Sequence, residues 1–488
     1  MTMRTLHLKN GRVIDPSDPS CSDQVRDLYI EDGKIVAKPK SKNVLKVLDL
    51  TGKIVMAGAI DMHTHLVSPA IAALRTLQEK LVPQAIPQSL LGSPTWLTQQ
   101  YQQLGYTTAV DAAITPGDAP AARLQLKKFL PLNTSFLLLL SHYQPLLEKL
   151  KKLEVQQDDQ ARSLAIRLFK QSGAMGIKLV NPGSTHAMDG PALDVVDIDQ
   201  AVSGMTRTPR EVLYFFLDVA EQLKLAHPLH IHLPQLGTPG SCDATLQWLN
   251  ALDGQRAHIA HLQYDCYLPD ENWYLRSAAQ QVLTALQSQK QITADLGLTG
   301  FGPAYAVTAD LALHDRLLDL LGDDAGPALR FQWEGQSAFA LQQLDRDPRN
   351  LGYAMQWAVG LELVLLCDNL DQLSLTLDYP NGGAIAHYPH LIACLMNKPY
   401  RDEQLKRCHK AVTQCTSLKQ ITRELSLAEI AKLTRTSPAG ALGLQNKGHL
   451  QPRADADLVI YKQSVDVSQL FFHPCEHVMI AGKFLEPV

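Results

Sequence analysis

Eight short apolar runs recur along this chain, and each has a polar residue at or within two positions of its end. They cover residues 53–60, 107–111, 136–140, 176–180, 229–233, 258–262, 292–296 and 373–378, with helix-like segments such as 210–225 and 270–290 between them. Strands alternating with helices are the pattern of a parallel sheet. Eight such units are the number that closes a (β/α)8 barrel, whose active-site groups stand at the C-terminal strand ends. The stretch 297–342 is irregular and Gly-rich, and is expected to be a loop insertion over the site.

A chain of 488 residues exceeds what one hydrophobic core holds, so the barrel needs an attachment. Both termini supply candidates. Asn10-Gly11 and Asp32-Gly33 lie between apolar runs and are strong hairpin signals, and the runs 457–461 and 478–483 read as strands. The prediction is a small β-sandwich domain built from residues 1–54 and 446–488, flanking a barrel over 55–445.

Composition narrows the function classes. The net charge of −4 gives no reason to expect nucleic acid or an anionic membrane as partner. No apolar stretch reaches the roughly 20 residues that span a bilayer, and the start of the chain shows no signal-peptide pattern. Eight Cys are scattered singly from Cys21 to Cys475, which argues against a local iron–sulfur or Cys-rich zinc site. Buried, reduced thiols in a cytoplasmic protein are expected.

The chemistry-bearing residues follow the strand pattern. His63 and His65 close the first run, and side chains two apart on a strand point to one side. Two neutral imidazoles so placed can ligate one divalent cation. Lys178, His232, His261 and Asp378 follow, each after its own apolar run. His230 competes with His232, because both face the same side of their strand. Most other His, including His142, His186 and His390, read as core or surface groups.

Longer blocks carry a resemblance. Gly58-Ala59-Ile60-Asp61-Met62-His63-Thr64-His65, Ser437-Pro438-Ala439 and Ala454-Asp455-Ala456-Asp457 resemble signatures of the amidohydrolase superfamily. Ile177-Lys178-Leu179-Val180-Asn181-Pro182-Gly183, His261-Leu262-Gln263-Tyr264, Gln356-Trp357-Ala358-Val359-Gly360-Leu361-Glu362-Leu363 and Asp378-Tyr379-Pro380-Asn381-Gly382-Gly383 are more specific. They resemble the A subunits of formylmethanofuran dehydrogenase and of the bacterial formyltransferase/hydrolase complex. Asp111 stands where those relatives lead one to expect Glu, and Tyr379 where they have His. The chain is also compact after the Asn181 block, which favours the bacterial type.

The resemblance implies hydrolysis of N-formylmethanofuran, or a close analogue, to formate and free amine. It implies two divalent cations, of zinc type, held by His63, His65, Lys178, His232, His261 and Asp378. Lys178 would be carbamylated to supply an anionic bridge, and Asp378 would be both ligand and proton acceptor. Asn181 and Gln263 are candidates for orienting ligands or the methanofuran-type carrier. Formyltransferase-like and other subunits are the implied partners. Three other readings compete: a dehydrogenase subunit running the condensation, a stand-alone cyclic amidase of dihydroorotase or hydantoinase type, and a metal-free scaffold subunit.

Overall fold

The computed structural model describes residues 5–20, 22–39, 44–81, 88–151, 155–182, 197–201, 206–269, 275–311, 313–315, 328–332 and 338–486. Cys21, Gly183, His186 and part of the helix expected over 270–290 lie outside them; the described helix there is Ala279–Gln287.

Eight strands form one all-parallel sheet in sequence order: β1 (Ala59–Thr64), β2 (Tyr106–Ile114), β3 (Asn133–Leu139), β4 (Gly176–Val180), β5 (Leu229–His232), β6 (Ala257–Ile259), β7 (Ile292–Asp295) and β8 (Leu373–Ser374). The ring closes beyond β8, where Thr64 bridges Tyr379 in parallel and the His65 amide donates to the Tyr379 carbonyl at 2.7 Å. This is the expected barrel. β8 is shorter than the predicted run, and residues 375–378 continue as irregular backbone toward the site.

Register stacks the interior. Lys178 lies opposite His230, His230 opposite His258, and His258 opposite Thr293. Same-face neighbours across strands touch, so one layer of the barrel is polar. Ile177 and Leu179 point the other way into the main apolar core, with Leu229, Ile231, Ala257 and Ile259. His232, two residues beyond His230, stands one pleat nearer the open end.

Helices bury their apolar stripes against this sheet. Pro209–Gln222 starts at a capping box between Thr208 and Glu211, and buries Val212, Leu213, Phe216 and Val219. Leu351–Leu366 is apolar on nearly every side and correspondingly buried.

The terminal segments pair into one mixed eight-stranded sheet. Leu458–Lys462 runs antiparallel to Lys53–Ala57, which runs parallel to Thr5–Ile14. Leu8, Val13, Ile30, Val55, Leu458, Ile460 and Met479 form its own core. Two expectations need correction. The run over 53–60 is two strands in two different sheets, divided at Gly58, where an added Cβ would lie 2.0 Å from Thr107 Oγ1. Asn10-Gly11 is not a hairpin turn but a register shift within the continuous strand Thr5–Ile14. Asp32-Gly33 does turn a hairpin, with both residues at positive φ (49° and 79°) between paired Glu31 and Lys34.

The insertion also differs from the expectation of an irregular loop. Gly302–Thr308, Ala328–Gln332 and Ala338–Arg346 form a three-stranded antiparallel sheet.

Candidate metal centre and its cavity

Strand ends bring together the six residues singled out in the sequence: His63, His65, Lys178, His232, His261 and Asp378 all line one cavity of about 380 Å³. The Nε2 atoms of His63 and His65 lie 3.3 and 3.1 Å from Asp378 Oδ1. One ligand atom from each of these three residues falls within 4.8 Å of the others, a spacing that suits a single cation. Across the floor, His261 Nε2 lies 3.0 Å from His232 Nδ1.

Backbone conformation aims several of these groups. Asn181, His261 and Asp378 follow β4, β6 and the β8 run, and each has left-handed φ, at 37°, 37° and 49°. Such a residue costs roughly 1–2 kcal/mol unless the surroundings enforce it. Here the enforcement is visible. The His261 amide donates to Asp295 Oδ1 at 3.1 Å, the Asn181 amide to the His232 carbonyl at 2.8 Å, and Asn381 Nδ2 to Asp378 Oδ2 at 2.9 Å.

Electrostatics sort these groups by charge. Burial depresses His261 well below the ordinary imidazole range and lowers His232, although Asp310 pulls the latter back. Both are therefore neutral, the form that ligates metal. Burial alone would raise the Asp378 carboxyl, but His63 and His65 outweigh it and hold it below the carboxylate range. The Lys178 amine is lowered to about 8 by burial, against the opposing pull of Asp295 and Asp378. Among the described residues, Lys178 Nζ and His261 Nδ1 are buried without a hydrogen-bond partner. Orphaned donors and acceptors beside neutral imidazoles and an ionised carboxylate are what a cation site leaves when described by its protein atoms alone.

Support lies behind the floor. Asp295 Oδ2 is 2.9 Å from His63 Nδ1 and 3.2 Å from His258 Nε2, while Oδ1 accepts from Thr376 Oγ1 at 2.7 Å. Asp295 thus holds His63 by the nitrogen remote from Asp378, as outer carboxylates commonly do for ligating His. Asp111 accepts from the Val67 and Ser68 amides and from Ser68 Oγ, which lies 2.8 Å from His65 Nδ1. His230 belongs to this rear layer: it contacts His227 at 3.2 Å and His63 Nδ1 at 3.3 Å, and does not line the cavity as His232 does.

Asn181 and Gln263 do not line the cavity. Asn181 Nδ2 donates to Asp310 Oδ2 at 3.0 Å, and that carboxylate lies 3.6 Å from His232 Nε2. Gln263 is fully buried against Gly360, on the helix behind the wall. Tyr379 also lies behind the wall, donating to the Leu90 carbonyl at 2.5 Å.

A curated relative decides the family: 33% identity over 480 residues, 95% of this chain and 85% of the relative, to the A subunit of the formyltransferase/hydrolase complex Fhc of Methylorubrum extorquens. The chain belongs to the amidohydrolase family. The model of that family matches residues 276–485. Protein FwdA of Methanocaldococcus jannaschii is 31% identical over 476 residues, 93% of this chain and 82% of that one. Among solved structures, the FhcABCD formyltransferase/hydrolase complex from Methylorubrum extorquens, in complex with methylofuran, contains a similar chain. The TM-score is 0.89 at 31% identity, covering 98% of this chain and 88% of that one. No described helix of this amidohydrolase is long and apolar enough to cross a membrane.

Residues that sequence reasoning missed fall into two groups. Asp295 carried a signal, since it is the acidic residue one position before the end of the seventh apolar run. Asp310 and Arg346 carried none. They come from the insertion and reach the site only through its folded sheet.

Proposed function

We propose that this chain is the hydrolase subunit of a formyltransferase/hydrolase-type complex in one-carbon metabolism, cleaving the N-formyl group of a methanofuran-type carrier to formate and free amine. The observation that carries the reading is the convergence of four His, one Lys and one Asp on the floor of a single cavity, in a chain so similar to the methylofuran-bound complex. His63, His65 and Asp378 would hold one divalent cation of zinc type, and His232 and His261 a second. Lys178, carbamylated by CO₂, would give the pair its anionic bridge. Such cations supply Lewis acidity toward the formyl oxygen and an acidified water.

The chain's own residues do the rest. An amine with a pKa near 8 is partly neutral near neutral pH, and only the neutral form reacts with CO₂. Asp378, ionised and clamped at Oδ2 by Asn381, presents Oδ1 to the site. It accepts the proton of the attacking water as the new C–O bond forms, then returns it to the leaving nitrogen as the C–N bond breaks. Asp295 and Ser68 keep His63 and His65 aimed. Leu236, Leu275, Val307, Phe339 and Leu344 line the cavity with apolar surface that accepts the carrier's body and limits water.

The test is to purify the chain with its partners, measure metal per chain and assay formate release from N-formyl carrier. Less than about one metal per chain in active protein, or no formate release, overturns the reading. A formyltransferase-like partner in a complex without molybdenum or tungsten is the expected result; a tungsten or molybdenum protein among the partners would instead indicate the dehydrogenase assembly.

A further inference from the structure

We infer that Arg346 forms a carboxylate-binding subsite on the rim of the metal cavity. The inference rests on the proposed reaction for the identity of its ligand, which is either the formate released or a carboxylate on the amine carrier.

Arg346 ends the last strand of the insertion sheet, is only 5% exposed, and lines the cavity beside Tyr264, Tyr353, Gln356, Asn381 and Asp378. A guanidinium stays charged in a protein, and a buried charge is costly unless paired. Yet every hydrogen-bond partner of Arg346 is neutral. Nη1 donates to Gln356 Oε1 at 2.6 Å, and Nη2 to Tyr264 OH at 3.2 Å and the Asn381 carbonyl at 2.8 Å. The Tyr353 ring lies 5.3 Å from the guanidinium carbon. Nε is buried with no partner, and among the described residues no carboxylate oxygen comes within 4.0 Å.

Other buried arginines differ. Arg401 donates to the Cys394, Ile421 and Arg423 carbonyls, and Arg435 to the Ala57 carbonyl and to the Thr434 and Tyr461 hydroxyls; neither lines this cavity. Arg401 also leaves its Nε without a partner, so what sets Arg346 apart among the three is that it faces the cavity, where a ligand can reach it. A planar fork of N–H donors matches a carboxylate, which would supply both the missing charge and the missing acceptor. Its position serves the chemistry. Asn381 joins Arg346 through its carbonyl to Asp378 through its amide, so a carboxylate on Arg346 lies next to the group that drives formate release.

The experiment compares wild type with Arg346→Met and Arg346→Lys, each purified with its natural partners and analysed for metal. Formate binding is measured by calorimetry and by product inhibition. KM is measured for two N-formyl amines, one bearing a carboxylate and one without. At equal metal content, Arg346→Met is expected to weaken one carboxylate roughly 10–100-fold, the effect of losing a charge-assisted hydrogen-bonded pair. Arg346→Lys is expected to fall between, because it keeps the charge and loses the fork. Weakened formate binding identifies the product as ligand. A KM raised selectively for the carboxylated amine identifies the carrier. If neither moves in Arg346→Met, or in Arg346→Lys should the Met variant not fold, Arg346 only braces the insertion and the inference is overturned. Failure of wild type to hydrolyse either formamide would overturn the proposed reaction, while formate and acetate binding would still test Arg346.

Discussion

The cavity has two walls of different origin. The inner wall is made of barrel strand ends: His63, His65, Lys178, His232 and His261, with Asp378 just beyond the last strand. His63 is held by Asp295, and His65 through Ser68 by Asp111. The outer wall is made largely by the insertion sheet, which contributes Val307, Phe339, Leu344 and Arg346. The inner wall is titratable and over-determined; the outer is mostly apolar with one charge. On the proposed function, chemistry belongs to the inner wall and selectivity to the outer, the division expected when a barrel supplies a rigid floor and its loops vary above it. Substitutions on the inner wall should strike kcat and metal content, and those on the outer wall KM.

The sharpest test of that division is Asp378→Asn, which keeps shape and removes the base. It should lower kcat by about 10²–10⁴-fold, with metal content falling less because the amide still offers an oxygen. Near-normal turnover in this variant would take Asp378 out of the mechanism and erase the inner wall's distinction.

Lys178 offers a test in the metal-free chain. Its folded pKa of about 8 lies below the ordinary Lys value of 10.5, so between these the unfolded chain binds more protons. Stability should therefore rise with pH from about 8 to 10.5, by about 3 kcal/mol over that whole interval. Thermal melts from pH 7 to 9 should show the rise in wild type and lose it in Lys178→Met. Equal slopes for the two proteins would mean that the buried amine is not the group responsible.

Asp295→Asn probes support for the inner wall. Removing an outer carboxylate from a ligating His typically weakens metal affinity 10–100-fold. Titration with a competing chelator would measure this, and an unchanged affinity would reduce Asp295 to a packing residue.

The smallest effect is expected on the outer wall. Leu344→Ala trims apolar surface facing the cavity and should raise KM for the formylated carrier roughly three- to tenfold, with metal content unchanged. A loss of metal in this variant would show that the two walls are coupled.

Legibility in the sequence follows the same division. The barrel could be read because each strand is a compact apolar run, and the ligand-type residues because they close those runs within a few positions. Asp295 could be read by the same rule. His230 and His232 could not be separated locally, since both share one face of a strand. Their roles diverge because register sets His230 opposite Lys178 and His258 in the rear layer, while His232 reaches the cavity.

By itself the sequence determined the eight-unit alternation, the pairing of the two termini into one sheet and the order of the titratable residues, all of which rest on local periodicity and turn chemistry. Only the tertiary structure decided what the insertion does. Gly302–Thr308 and Ala338–Arg346 gain strand character by pairing with each other across the 29 residues between them, and no local pattern announces a partner so distant. That pairing brings Arg346 to Asn381, and with Asp310 it closes the site above the barrel. A buried charge without a partner has no signature in a linear chain, because burial is a property of the folded surroundings.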